Sequence, residues 1–218
     1  MRTALLACLI AVLAAGCGGG DDGTEGATGT TTSAAAGCED TAAPDPRDAP
    51  TVTPPEGTLD PAKTWQLTFE TNCGEFTVDL DLALAPETTA SLVHLAREGF
   101  YDDTIFHRIV PGFVIQGGDP TGTGSGGPGY ATHDKVPQDA AYKHGVVAMA
   151  KTAAEPPGTA GSQFFVVTSA DAALPPDYAI VGKVTSGLDV VDRIGKLGDA
   201  QEQPTRPVVI SKVKVETS

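Results

Sequence analysis

The polar side chain with the least ordinary setting in this sequence is Arg108. It lies inside an apolar stretch, Phe106–Ile115 (FHRIVPGFVI), interrupted otherwise only by His107 and a Pro-Gly turn. A strand alternates its faces, so Phe106, Arg108 and Val110 are expected on one face, with His107 and Ile109 on the other. A guanidinium that shares a face with large apolar residues serves either a buried ion pair or a ligand that needs fixed donors. Gln116 and Gln163 are likewise embedded in apolar runs, VIQGG and SQFFVV. Buried amides demand partners. Three embedded polar groups with no acid beside them point to a groove for peptide amides rather than to an acid–base machine.

Other chemistries lack their residues. There is no GxSxG elbow, since Ser125 and Ser162 lack its flanking glycines. The glycine run Gly117–Gly129 has no GK[ST] and reads as a tight irregular loop, not a phosphate cradle. His94, His107, His133 and His144 show neither HExxH nor HxH spacing, and the four cysteines form no CxxC pair, so no metal site is expected. His94, between leucines, reads as a surface or half-buried helix histidine. The formal net charge of −14 argues against nucleic-acid partners, which require a dense cationic face.

The elements that must position these groups can be read from pattern. Thr64–Thr71 and Glu75–Leu82 alternate polar and apolar residues around Asn72-Cys73-Gly74, the signature of a β-hairpin. Pro86–Glu98 reads as a helix, with proline in the first turn, Glu87 at the positive end of the dipole and Gly99 as the stop. Short apolar runs follow at Ile105–Val110, Phe113–Gln116, Gly145–Ala150, Gln163–Thr168, Ala179–Val184 and Val208–Val215, with a second short helix at Leu188–Ile194. Many short strands and two helices imply a mainly β, antiparallel barrel or sandwich.

At these residues the sequence resembles the cyclophilins. The resemblance is carried by FHRIVPGFVIQGGDP (Phe106–Pro120), GVVAMAK (Gly145–Lys151) and GSQFFVV (Gly161–Val167), and it extends over about residues 64–216. It implies a closed eight-stranded antiparallel β-barrel capped by two α-helices, prolyl cis–trans isomerase activity, and no cofactor or metal. Position by position it makes Arg108 the catalytic arginine. Phe113, Phe165 and Leu174 become the walls of a proline pocket, and Gln116 its polar floor. Val114 stands where methionine is common, and Ala150 and Gln163 match residues of the substrate groove. Lys151 replaces an asparagine that in many members binds the peptide backbone. In Ala170–Ala179, the most divergent segment, Ala173 stands where eukaryotic members often have tryptophan and Tyr178 where they have histidine. The alternative reading is a catalytically weak module that holds proline-containing peptides. Isomerase activity of residues 61–218 separates the two.

The first sixty residues read as address and tether. Residues 1–16 form a signal peptide, with Arg2 ahead of an apolar Ala4–Leu13 too short to span a bilayer as a helix. Leu13-Ala14-Ala15-Gly16-Cys17 resembles a bacterial lipobox, which makes Cys17 the lipidated first residue of the mature chain. Residues 17–60, rich in Gly, Thr, Ala and Pro, read as a flexible tether because they hold almost no large apolar residue to offset their ordering entropy. Residues 61–218 are the folded domain. Outside the cytoplasm the thiols Cys38 and Cys73 would pair and pin the tether to the first hairpin. The expectation is a monomer, extracytoplasmic, lipid-anchored to a membrane through Cys17, acting on proline-containing segments of exported proteins.

Overall fold

The computed structural model describes residues 37–48 and 50–218. The signal peptide and Cys17 lie outside the described residues. Strands β1 (Trp65–Thr71) and β2 (Gly74–Leu80) form the expected hairpin. Leu67, Phe69, Phe76 and Val78 point inward from it, and the paired Phe69 and Phe76 rings stack with centroids 4.8 Å apart. Helix α1 (Pro86–Arg97) begins with proline in its first turn. Its N-terminal donors are met from another part of the chain: the Asp134 carboxylate accepts from Glu87 N (3.2 Å) and Thr88 N (2.8 Å). Strands β3 (Thr104–Ile105), β4 (Arg108–Val110), β5 (Val114–Gly117), β6 (Thr132–His133), β7 (Val146–Met149), β8 (Thr159–Ala160), β9 (Phe164–Val167) and β10 (Ile180–Ser186) follow. Helix α2 (Leu188–Ile194) and β11 (Val209–Thr217) complete the chain. Among the described residues no helix is long and apolar enough to cross a membrane.

Nine strands make one antiparallel sheet in the order β3-β11-β1-β2-β10-β7-β9-β5-β4, and β6 pairs with β8 separately. This corrects the expected closed eight-stranded barrel. The two edge strands, β3 and β4, are neighbours in sequence, separated only by Phe106 and His107, so the sheet must curl until its ends approach. No ladder joins them, and the sheet remains a curled half-barrel. The same dipeptide overturns the expected facing of the stretch. Strand geometry lapses at Phe106-His107 and the alternation is reset, so Phe106 joins Ile109 in the interior while Arg108 and Val110 face outward.

The curled sheet has two apolar faces. Its inner face holds Phe106, Ile115, Met149, Phe164 and Val166. Its outer face holds a second cluster built on Val114, Tyr142, Ala148, Phe165 and Val167. All four residues of β9 are therefore buried, alternately inward and outward, which explains an unbroken FFVV run. Each such side chain contributes about 1.5–3 kcal/mol on burial. The inner face is filled by side chains, so a binding surface must form on the outer cluster.

Of the segment read as a flexible tether, residues 37–48 and 50–60 are described, and several of them contact the domain. Cys38 is disulfide-bonded to Cys73, and Glu39 N donates to Asn72 O at 2.7 Å. Arg47 donates to Phe100 O (2.6 Å) and Asp102 O (2.9 Å), and Val52 N donates to Pro128 O at 3.0 Å. His94, half-buried on α1, meets Thr53 O through Nε2 at 3.0 Å. This strap touches the domain through a cross-link, individual hydrogen bonds and the partly buried Val52 and Leu59, contacts that leave no pattern in composition.

Candidate active site

The β4–β5 hairpin builds the first wall of the site. Its turn, Val110–Phe113, is closed by Phe113 N donating to Val110 O at 3.0 Å. Pro111 and Gly112 occupy the central positions with Gly112 at φ +69°, the pattern of a type II turn, in which the second position demands positive φ. The register places Arg108 opposite Gln116. Gln116 in turn pairs with Phe165 on β9, which pairs with Ala148 on β7. Residues scattered over some sixty positions thus share one outward face.

A directional chain of hydrogen bonds joins the embedded polar groups. Arg108 Nη1 donates to Gln116 Oε1 (3.2 Å), and Gln116 Nε2 donates to Gln163 Oε1 (3.1 Å). Gln163 Nε2 donates to Gly124 O and Gly126 O, both at 3.0 Å. Each amide accepts from the group before it and donates to the next, so no link can turn over without breaking two contacts. The chain ends on a loop organised by Asp119, whose carboxylate is fully buried. It accepts from Thr121 N and Oγ1 (both 2.8 Å), Gly124 N (2.7 Å) and Gly126 N (3.0 Å). Burial works to raise the pKa of Asp119, but these hydrogen bonds outweigh it and hold the carboxyl below its ordinary value. Gly126 cannot carry a side chain there, since a Cβ would lie 2.0 Å from Asp119 Oδ1.

Arg108, Phe113, Val114, Gln116, Ala150, Phe165, Leu174 and Tyr178 all line one cavity of about 210 Å³, together with Lys151. Gln163 does not line it; it lines an adjoining groove of about 540 Å³ that also touches Gln116, Ala150, Lys151 and the loop Gly124–Ala131. The far wall of the smaller cavity is an aromatic stack. The Phe165 and Tyr178 rings meet edge to face at 5.5 Å, and Tyr178 meets Tyr142 likewise at 6.0 Å. Tyr142 Oη donates to Tyr178 O (2.8 Å) and accepts from Tyr178 N (3.0 Å), which fastens the divergent Ala170–Ala179 segment. Lys151 sends its ammonium over the Tyr178 ring at 5.5 Å and donates to Glu155 O at 3.1 Å. A larger depression of about 800 Å³ lies around Trp65, Asp81 and Lys183 and contains none of the expected site residues. Among the described residues no group of three His, Cys, Asp or Glu side chains is placed to hold a metal ion.

Two residues escaped the sequence reading. Glu202 accepts from Arg108 Nε at 2.7 Å, so the guanidinium has an acid beside it after all. No spacing rule could have found a partner 94 positions away. The second is His107, which is buried with neither ring nitrogen bonded among the described residues. Burial lowers its pKa; Asp119 opposes that shift and Arg108 reinforces it. The signal for His107 was present, a histidine inside an apolar run, but alternation alone placed it on the face opposite Arg108 without saying that the face was closed.

The chain matches the family model of cyclophilin type peptidyl-prolyl cis-trans isomerases over residues 66–215. It is 38% identical over 157 residues to the peptidyl-prolyl cis-trans isomerase CYP18-2 of Arabidopsis thaliana, covering 69% of this chain and 93% of the relative. A crystal structure of the cyclophilin type isomerase of Cryptosporidium parvum superposes with a TM-score of 0.65 at 32% identity, over 70% of this chain and 98% of that one. The same protein studied in the presence of the dipeptide Ala-Pro superposes with a TM-score of 0.64 at 31% identity, over 69% and 98%. With the family model matched over residues 66–215 and a relative 38% identical over 93% of its length, the chain belongs to the cyclophilin-type peptidyl-prolyl cis-trans isomerases.

Proposed function

We propose that this protein accelerates rotation about X–Pro bonds in exported proteins, with Arg108 donating to the prolyl nitrogen. The observation that carries the reading is the guanidinium held along the wall of an apolar cavity of about 210 Å³, with N–H groups left over from its two protein contacts. The peptide bond rotates over a barrier of about 18–20 kcal/mol because resonance gives it double-bond character. Halfway through rotation that resonance is lost and the prolyl nitrogen carries a localised lone pair. A donor aimed at this nitrogen stabilises the twisted state more than either planar state, which is what lowers a barrier. An arginine suits the task because it stays charged and offers fixed donors.

The other residues take supporting roles. Phe113, Val114, Phe165 and Leu174 hold the proline ring by apolar contact. Gln116 orients Arg108, and Ala150, Gln163 and Tyr178 border the path of the flanking peptide. A charged hydrogen bond contributes about 1.5–3 kcal/mol, or roughly 10- to 150-fold in rate, so ring burial and backbone positioning share the remainder. No nucleophile and no covalent intermediate are needed. In a protease-coupled assay with an Ala-Pro peptide, Arg108→Ala lowers kcat/KM at least tenfold, or roughly 1.4 kcal/mol, while the circular dichroism spectrum is kept. Unchanged activity refutes the role of Arg108.

Two features support the setting. The lipobox-like Leu13–Cys17 supports a membrane anchor at Cys17, and the Cys38–Cys73 disulfide supports an oxidising, extracytoplasmic site of action. Acyl chains supply about 0.8 kcal/mol per buried CH₂. Cys17→Ser therefore moves the protein from the membrane to the soluble fraction; retention on the membrane refutes the anchor.

A further inference from the structure

We propose that Glu202 is a positioning residue that locks the plane of the Arg108 guanidinium. The proposal rests on the reading of Arg108 as the donor to the prolyl nitrogen. The Glu202 carboxylate accepts from Arg108 Nε at 2.7 Å, on the side of the guanidinium away from the Gln116 contact at Nη1. Two contacts at different nitrogens fix a planar group completely, where one would leave it a hinge. The N–H groups that remain uncommitted then have a set direction before any substrate arrives. Glu202 itself is not among the residues that line the cavity, so it acts through Arg108.

The turn that carries Glu202 is docked on the strand that carries Arg108. Ile109 N donates to Glu202 O at 3.0 Å, so backbone and side chain of one glutamate grip consecutive residues of β4. Gly198 presses so closely on the same strand that a Cβ there would lie 2.3 Å from Ile109 O. Within the turn, Asp199 Oδ1 accepts from Gln201 N (2.8 Å) and Gln203 N (2.9 Å), and Glu202 N donates to Asp199 O at 3.1 Å. These bonds hold Glu202 at φ +64°, a conformation that favours glycine. A glutamate at such a position spends backbone energy, and its carboxylate on Arg108 is what the structure gains in return.

The test is a double-mutant cycle on the full chain, with kcat and KM separated. Both partners are partly exposed, at 35% and 47% of their side chains, so the contact carries the energy of a solvent-facing ion pair. Glu202→Ala is expected to lower kcat by about three- to fivefold with little change in KM, and Glu202→Gln, which keeps an acceptor for Nε, by about twofold. Glu202→Gly removes the carboxylate while relieving the backbone, and is expected to lose kcat as much as Glu202→Ala even though it unfolds at higher temperature. In an Arg108→Ala background Glu202→Ala is expected to cost nothing further. A loss of the same factor in both backgrounds, or full activity in Glu202→Ala, overturns the positioning role. Full activity in Arg108→Ala alone overturns the underlying reading of Arg108, and is seen without any change at Glu202.

Discussion

Asp119→Asn tests whether the groove loop is the foundation of the site. In the native protein Oδ1 of Asp119 accepts from Thr121 N and Oγ1, and Oδ2 accepts from Gly124 N and Gly126 N. Asparagine must turn its NH₂ toward one of these pairs. Facing Gly124 and Gly126, it sets donor against two donors. Facing Thr121, it sets donor against one, because the threonine hydroxyl can reverse. The second arrangement loses one bond outright and the charge assistance of the others, which amounts to about 2–4 kcal/mol for a buried carboxylate. Urea unfolding followed by the single tryptophan, the buried Trp65, measures this loss directly. Because Gln163 hangs from Gly124 O and Gly126 O, kcat/KM falls in parallel under conditions where the variant is folded. The acid limb changes too. Asp119 has a folded pKa below its unfolded value, so its stabilisation is complete above the unfolded value and is lost as pH falls through the lowered one. The variant lacks that acid-dependent slope. A loss of stability under about 0.5 kcal/mol with full activity would refute the reasoning, since a single ordinary hydrogen bond is worth more.

Two further outcomes are expected. Burial lowers the pKa of His107, so as pH falls through the ordinary value of 6.5 the unfolded chain takes up a proton more readily than the native chain, and stability declines, by at most about 1.4 kcal/mol per pH unit, until the lowered folded value is passed. His107→Gln flattens this decline, and calorimetry from pH 6.5 downward checks it; an unchanged slope counts against a lowered pKa at His107. Cys38→Ser frees a closure of 35 residues and is expected to cost about 3–4 kcal/mol, with the same effect from a dithiol reductant. A reduced protein that melts with the oxidised one would show that the strap does not depend on the bond.

Local signals in the sequence were faithful where the interaction was local. Helix α2 begins at Leu188 and ends at Ile194 as the pattern implied, and the first hairpin turns where Asn72-Cys73-Gly74 places it. The motif residues of the pocket came together because β4, β5, β7 and β9 are strand neighbours. What pattern could not supply was the meeting of distant segments. The Arg108–Glu202 contact, the cap that Asp134 places on α1, and the strap fastened at Cys73 each join residues at least 35 positions apart through a few isolated polar or covalent links. Such links leave no periodicity. Closure of the barrel was illegible for a related reason. Counting apolar runs gives strands, but whether β3 pairs with β4 depends on two residues, Phe106 and His107, that leave strand geometry between them.

As the proposed donor, Arg108 acts on the twisted peptide bond rather than on the bound ground state. Exchange NMR with an Ala-Pro peptide separates the two, because it reports the interconversion rate on the enzyme and the peptide affinity independently. In Arg108→Ala the bound interconversion rate is expected to fall at least tenfold, or roughly 1.4 kcal/mol, while Kd changes by less than about twofold. A weakened Kd with an unchanged bound rate would contradict it.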